Sequence, residues 1–500
     1  MIITKPSDTA FFGYSAIAPG VSVLPKKENG SVRKLSEYWG LFMHNKKYVK
    51  EKLVLYVFKI LITAVYTWSM YRCWVQYFNP NIPTPFFRFG NYFLAVLIVF
   101  IYITFVKVFG GFQVGTATRS DLIFSQIIAI AFLQAMSYIV FSLLSYRLVS
   151  LVPFIIMFLA FSAFSVLWVF AADFVYYKIH ATKRTVVVFN NVDSYISLKG
   201  IRKLERRFKV VRTLNSEKTS LEELFEILEN ADAVFLCGVP SDYRNEVVKY
   251  CIAQGKVAYI KPKISDTIIR GGKTIQLMNI PIYRCKRNDG NLIYLFTKRL
   301  FDVVLSLIGT IVLSPLFLIV ALAIKLDDGG PVFYKQKRLT IDGKVFEIIK
   351  FRSMRVDAEK DGVARLAGDG DDRITRVGKV IRMLRLDELP QIFNILSGSM
   401  SIVGPRPERP EIAKEYEKHT PEFALRLQVK AGLTGYAQVY GKYNTPPYDK
   451  LQMDLMYIAN QSILEDFRLI LMTFKIMFIP SSTEGIDANS RTAERKSKSE

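Results

Sequence analysis

The residues best placed to do chemistry lie in RLDELPQIFNIL, residues 385–396, where Asp387 and Glu388 stand side by side ahead of Pro390 and the apolar stripe Ile392, Phe393, Leu396. The pattern predicts a helix with Asp387 at its N-cap, where the dipole favours ionised carboxylates. One such carboxylate can attack phosphorus while its neighbour holds a divalent ion. A plain capping role for Asp387 fits these residues equally well. Basic groups flank the pair. In IIKFRSM, alternation puts Lys350 and Arg352 on one strand face, suited to phosphate at a membrane interface or to snorkelling. In IVGPRPERP, prolines on both sides of Arg406 stiffen the loop that aims its guanidinium, a phosphate clamp. In DDRITRVGKVIR, Arg373, Arg376 and Arg382 come just before the acidic pair. The acidic run Asp369, Asp371, Asp372 lacks the twelfth-position glutamate of a calcium loop and reads as solvated.

These residues must be held near a lipid surface, because long apolar runs surround them. Four segments, near 53–78, 91–110, 121–145 and 149–177, each reach the ~20 residues a helix needs to cross a bilayer. Lys26, Lys27, Arg33, Lys34, Lys46, Lys47, Lys50 and Lys52 precede the first, and Lys178, Lys183 and Arg184 follow the fourth. The intervening outer loops carry only Arg88 and Arg147, so both ends of the bundle are expected in the cytoplasm. A fifth apolar run, Val303 to Ile324, has Ser314–Pro315 at its midpoint and basic flanks on both sides. Proline removes a backbone donor, so a break is expected there, with the Ser314 hydroxyl and water meeting the freed carbonyls. A bent, re-entrant helix over 300–325 keeps both flanks cytoplasmic; a kinked ordinary span is the alternative.

Between them, residues 183–290 alternate β-branched runs (Thr185–Phe189, Val210–Val211, Ala233–Leu236, Val257–Ile260) with helical patterns at Ser220–Leu228 and Asn245–Gln254. That is the signature of a small parallel α/β domain. Its first strand leads into NNVDSY instead of GxGxxG, so the phosphate-cradling turn of a dinucleotide fold is missing. The composition agrees with a membrane enzyme acting on anions: 51% of the 500 residues are hydrophobic and the formal charge is +23. The apolar runs favour phosphorylated substrates and membrane lipid over nucleic acid. Four widely spaced cysteines and three histidines argue against a zinc site or a His-based triad.

From about 295 to 480 the chain resembles the bacterial sugar transferases, the polyprenyl-phosphate hexose-1-phosphate transferases. The strings that carry the likeness are KRLFDVVLSLIG, LSPL, GPVFYKQKRL, KFRSM, DDRITRVGKVIR, LDELPQ, GSMSIVGPRP and GLTGYAQVYGKYNT. The larger members also have four N-terminal spans and a degenerate Rossmann-like domain. With the tails read from their polar, charged composition, five regions are expected: a cytoplasmic tail (1–50), four transmembrane helices (51–178), the Rossmann-like domain (183–290), a mostly helical catalytic domain (295–480) anchored by the re-entrant helix, and a disordered tail (481–500). The resemblance implies transfer of hexose-1-phosphate from a UDP-sugar to undecaprenyl phosphate at the cytoplasmic face of the bacterial inner membrane, releasing UMP. By the same likeness Asp387 is the nucleophile, Glu388 binds Mg²⁺, Ser314–Pro315 forms the break, and Lys350, Arg382 and Arg406 match basic site positions. Two departures stand out: Ala431 where the family commonly has proline, and Tyr436 in place of its tryptophan. A nucleotide-sugar dehydratase would need an intact GxGxxG turn with a Tyr-x-x-x-Lys pair downstream of it, a combination that the chain lacks. A non-enzymatic scaffold for polysaccharide synthesis stays open, as does the choice between monomer and homo-oligomer.

Overall fold

The structure is a computed structural model that describes residues 32–190, 206–278, 280–287, 290–356, 358, 373–441 and 445–477, with side chains from residue 53 onward. The expectations for residues 1–31, for most of NNVDSY, for the acidic run at 369–372 and for the tail after 480 fall outside the described residues. Residues 1–58 and 59–500 form two compact units. Of the first, helix from Val32 is described, in α1 (Val32–Cys73), as backbone up to residue 52 and with side chains from Leu53. The rest concerns the second unit.

Among the described residues, five helical segments are long and apolar enough to cross a membrane: Leu53–Asn81, Arg88–Phe109, Arg119–Leu144, Val152–Ile179 and Leu292–Asp328. The first takes in the end of α1; the next three are α2, α3 and α4. Their shared interior mixes aromatics with hydrogen-bonded polar groups. The Tyr66 and Tyr102 rings stack at 4.8 Å, Trp74 donates its indole N–H to Asn91 Oδ1 at 2.7 Å, and Tyr102 donates to Gln126 at 3.0 Å. Gly110, with φ 78°, ends α2 in the left-handed conformation that caps helices.

The α/β domain follows as expected. Strands β1 (Lys183–Phe189), β2 (Phe208–Asn215), β3 (Ala233–Cys237) and β4 (Val257–Ile260) form one parallel sheet in the order β2-β1-β3-β4. Helices α5 (Leu221–Glu229), α6 (Ser241–Ala253) and α7 (Ile264–Arg270) connect and follow them, and Val186, Val188, Leu224, Leu228, Val234 and Val247 make the core. A short antiparallel hairpin, β5 (Lys273–Leu277) with β6 (Ile280–Arg284), closes the region.

The fifth apolar helix, α8 (Leu292–Asp328), departs from expectation: it runs unbroken through Pro315. The reason is local. Pro315 cannot donate to the carbonyl of Ile311, one turn back, and the Ser314 hydroxyl donates to that oxygen at 2.7 Å. The substitution of donors foreseen from the sequence is there, without an interruption of the helix.

The remaining elements pack around α8. A hairpin of β7 (Phe333–Leu339) and β8 (Val345–Phe351) is followed by α9 (Arg376–Met383), α10 (Gln391–Ser397), β9 (Ser401–Val403), α11 (Pro410–His419), β10 (Gly432–Thr434), α12 (Tyr436–Tyr440), α13 (Pro447–Ala459) and α14 (Ile463–Met477). Both ends of α8 are tied to this set. Near its start, Lys298 pairs with Asp466 at 2.8 Å, and Arg299 donates to the carbonyls of Leu396 and of Ile395, the latter also accepting from the Gly398 N–H that caps α10. Asp302 accepts the Ile402 N–H at 3.0 Å. Near its end, Val320 and Ile324 pack on Phe351 and Ile381, Asp327 accepts the Val377 N–H, and Asp328 pairs with Arg352.

Candidate active site

Asp387 and Glu388 lie on a single 3-10 turn, Leu386–Glu388, set between α9 and α10. This corrects the N-cap assignment: the residue capping α10 is Pro390, which has no side-chain cap. The cause is Arg385, whose backbone is left-handed at φ 54°. A non-glycine residue there is strained, and the reversal detaches the acidic turn from α9. The pair is thereby presented on a turn, free of capping duty.

Three elements deliver the cations. From the last but one residue of β8, Lys350 Nζ reaches Glu388 Oε1 at 3.2 Å. From the loop after β9, Arg406 Nη2 reaches the same oxygen at 3.1 Å. Arg382, on the last turn of α9, acts on Asp387 electrostatically. Asn394 of α10 fixes the relative height of these parts, accepting from Ile349 N–H at 2.9 Å and donating to the Glu347 carbonyl at 2.8 Å.

The two carboxylates are driven apart in acidity. Burial and the adjacent Glu388 charge push Asp387 up to about 6, against Lys350, Arg382 and Arg406. Glu388 is held well below the usual carboxylate range: burial opposes its charge, and Lys350, Arg406 and Arg385 more than offset that. Glu388 is thus the fixed anion and Asp387 the carboxylate whose charge responds to what binds beside it. Such splitting of paired groups marks functional sites.

The structure sorts the basic residues singled out from the sequence. Lys350, Arg382 and Arg406 surround the acidic pair. Arg352 does not: its guanidinium is buried against Asp328, holding the end of α8. Arg373 turns back to the Ala358 carbonyl, and its own carbonyl accepts from Arg355 N–H. Arg376 is exposed at the first residue of α9. Spacing could not separate these cases, because Lys350 and Arg352 share a strand face and differ only in which neighbouring element each meets.

The site also has parts that sequence reasoning missed. Arg426 is buried, donates to the Arg406 carbonyl at 2.8 Å, and lies 2.8 Å from Asp454 and 3.7 Å from Glu408. Arg338 donates to the Pro407 carbonyl at 3.0 Å. The signal was present in α13: Asp454 is a carboxylate among the buried residues Leu451, Leu455 and Ile458, and a charge on an apolar face needs a partner.

The Arg406 loop is locked from the other side by backbone contact. β9 pairs with β10 in parallel, Ser401 with Gly432 and Val403 with Thr434. A Cβ on Gly404 would lie 2.3 Å from the Lys430 carbonyl oxygen, and one on Gly432 would lie 2.1 Å from Gly404 N. Only glycine permits that approach, so GSMSIVGPRP and GLTGY are the two halves of one contact. The departure at Ala431 has a counterpart here: its N–H donates to Thr340 Oγ1 at 3.1 Å, a bond that proline cannot make. Tyr436 donates its hydroxyl to Glu465 at 2.9 Å.

Comparison with known proteins covers this same region. Residues 293–480 match the family described as bacterial sugar transferase. The exopolysaccharide production protein PSS of Rhizobium leguminosarum bv. phaseoli is 42% identical over 190 residues, 36% of this chain and 94% of that protein. The chain belongs to the bacterial sugar transferase family. Among longer members, the UDP-N-acetylgalactosamine-undecaprenyl-phosphate N-acetylgalactosaminephosphotransferase of Aeromonas hydrophila is 42% identical over 186 residues, 37% of this chain and 44% of the relative. The UDP-glucose:undecaprenyl-phosphate glucose-1-phosphate transferase of Xanthomonas campestris pv. campestris is 38% identical over 219 residues, 42% and 45% of the two chains. The chain thus matches about half the length of these longer sugar transferases.

Proposed function

We propose that this bacterial sugar transferase moves a hexose-1-phosphate from a UDP-sugar to a polyprenyl phosphate, the first membrane step of an exopolysaccharide or capsule. The observation that carries the reading is the acidic turn of Asp387 and Glu388 with Lys350 and Arg406 converging on it. The names of the relatives, which specify undecaprenyl-phosphate sugar phosphotransferases, support it.

In the first half, an Asp387 oxygen attacks the phosphorus bearing the sugar. The bond between the two phosphates breaks, UMP leaves with the electron pair, and the sugar phosphate is held on Asp387. In the second half, an oxygen of polyprenyl phosphate attacks the same phosphorus and Asp387 leaves as a carboxylate. Lys350, Arg382 and Arg406 neutralise the phosphate charge that moves between the two partners, in a site that Leu386 and Leu389 help to bury.

The donor set fits Mg²⁺, which takes hard oxygen ligands and usually only one or two carboxylates besides phosphate and water. Among the described residues no group of three His, Cys, Asp or Glu side chains could hold a metal, and Glu388 would be the protein's ligand, with phosphate and water completing the shell. Bound there, the ion would add positive charge against the diphosphate.

For the membrane we propose four spans and one re-entrant helix in the inner membrane, with the catalytic domain in the cytoplasm. A straight helix of 37 residues would be about 55 Å long, yet Arg299 and Asp328 both bind one domain, which favours flanks on the same side. Cysteines placed at Lys298 and Lys335 should label from the same face in sealed vesicles; opposite faces would make α8 a fifth span. The reaction itself is tested by the nucleotide released. With undecaprenyl phosphate and a panel of UDP-sugars, UMP is expected; UDP would mean simple glycosyl transfer.

A further inference from the structure

The contacts of α13 assign the α/β domain a task that its own sheet edge does not reveal. One face of the helix meets that domain: Asp449 pairs with Lys261 at 2.8 Å, the Gln452 side chain donates to the Pro262 carbonyl, and Ala459 packs against Gly271. A Cβ added to Gly271 would lie 2.6 Å from the Ala459 Cβ, so the two surfaces touch with no space for a methyl group. On a helix, residues 449, 452 and 459 fall within one quarter-turn, and residue 454 points the opposite way. There Asp454, 1% exposed, faces Arg426, 3% exposed, whose Nη2 lies 2.8 Å from it. Arg426 donates onward to the Arg406 carbonyl, and Arg406 reaches Glu388.

We propose that α13 is a positioning element through which docking of the α/β domain sets the seat of Arg406, with Arg426 as the residue that transmits it. The proposal rests on the reading above only in taking Arg406 as a ligand of the donor diphosphate. Arg426 touches no reacting atom; it fixes where the loop carrying Arg406 stands, and small misplacements of such a group are costly. The loop is held at four further points, from Thr434 to Gly404, from Pro405 to Gly432, from Pro407 to Arg338 and from Glu408 to Leu339. A displacement of α13 therefore has to be expressed at a small set of hydrogen bonds.

The full-length protein in lipid nanodiscs provides the test. Gly271→Ala inserts a wedge at a residue whose backbone, φ −77° and ψ −9°, accepts alanine, so the effect is steric. It should raise KM for the UDP-sugar about 3- to 10-fold, in the range of interdomain couplings, with kcat changed less than KM. It should also speed hydrogen exchange at the amides of Gly432 and Leu339, which bond the Arg406 loop. Gly271→Ala with Ala459→Gly should restore both. Lys261→Asp provides an independent disturbance, and Lys261→Asp with Asp449→Lys should reverse it. Unchanged exchange at Gly432 and Leu339 in both Gly271→Ala and Lys261→Asp would overturn the proposal. Compensated double variants that stay as impaired as the single ones would do the same. The exchange arm needs no turnover, so a protein that transfers no sugar would refute the reaction while still deciding the coupling.

Discussion

Two regions of this molecule are built to opposite plans. The α/β domain has the regular architecture: four parallel strands and a buried core of valine and leucine. At the carboxyl edge of that sheet, where open α/β folds bind ligands, the described side chains engage each other. Ser216 donates to Asn190, Lys263 donates to Ser241, and Lys261 is paired with Asp449 of the neighbouring domain. The catalytic domain is built from hairpins, short helices and 3-10 turns, yet it brings Lys350, Arg382, Arg385 and Arg406 onto two adjacent carboxylates. Regularity of fold is therefore no guide to where charge converges: here it does so at a strained turn.

That contrast can be broken or sharpened by substitution at the two places. The largest effect is expected at Asp387. Asp387→Asn keeps size and removes the attacking anion, and since Asp387 caps no helix, the fold should be retained. Turnover of UDP-sugar with polyprenyl phosphate should fall by about a thousandfold or more; a loss under tenfold would remove Asp387 from the covalent role. The smallest effect is expected at the sheet edge. Ser216→Ala deletes the hydrogen bond to Asn190 and should leave KM for the UDP-sugar within about twofold, as for most substitutions away from a site. A tenfold rise in steady-state KM would mean that the edge binds donor after all, and the contrast would fail.

Much of this was legible in the sequence, for identifiable reasons. The apolar segments and the strands were visible because their periodicity is set by burial alone, and the ends differ from the structure by a few residues: Thr185–Phe189 became Lys183–Phe189. Asp387, Glu388, Lys350 and Arg406 were visible as charges in stiff or capped contexts. What could not be read was orientation. Lys350 and Arg352 are two residues apart on an extended segment, yet one reaches Glu388 and the other Asp328 at the end of α8, a difference of partner that alternation does not carry. The N-cap expected at Asp387 failed for a similar reason, since the left-handed Arg385 and the proline at position 390 moved the helix start. The support from Arg426 and Asp454 joins residues 28 positions apart, so Asp454 on its apolar face signals that a partner is needed but not which residue it is.

The central claim, that Asp387 carries the sugar phosphate between the two substrates, is tested most directly by intact mass. Wild-type protein incubated with UDP-sugar and Mg²⁺, with polyprenyl phosphate left out, should gain the mass of one hexose phosphate. The gain should be absent in Asp387→Asn and should be lost from the wild type when polyprenyl phosphate is added. A wild type that turns over with both substrates present yet never gains that mass would contradict the account, and would mean that polyprenyl phosphate attacks the UDP-sugar directly.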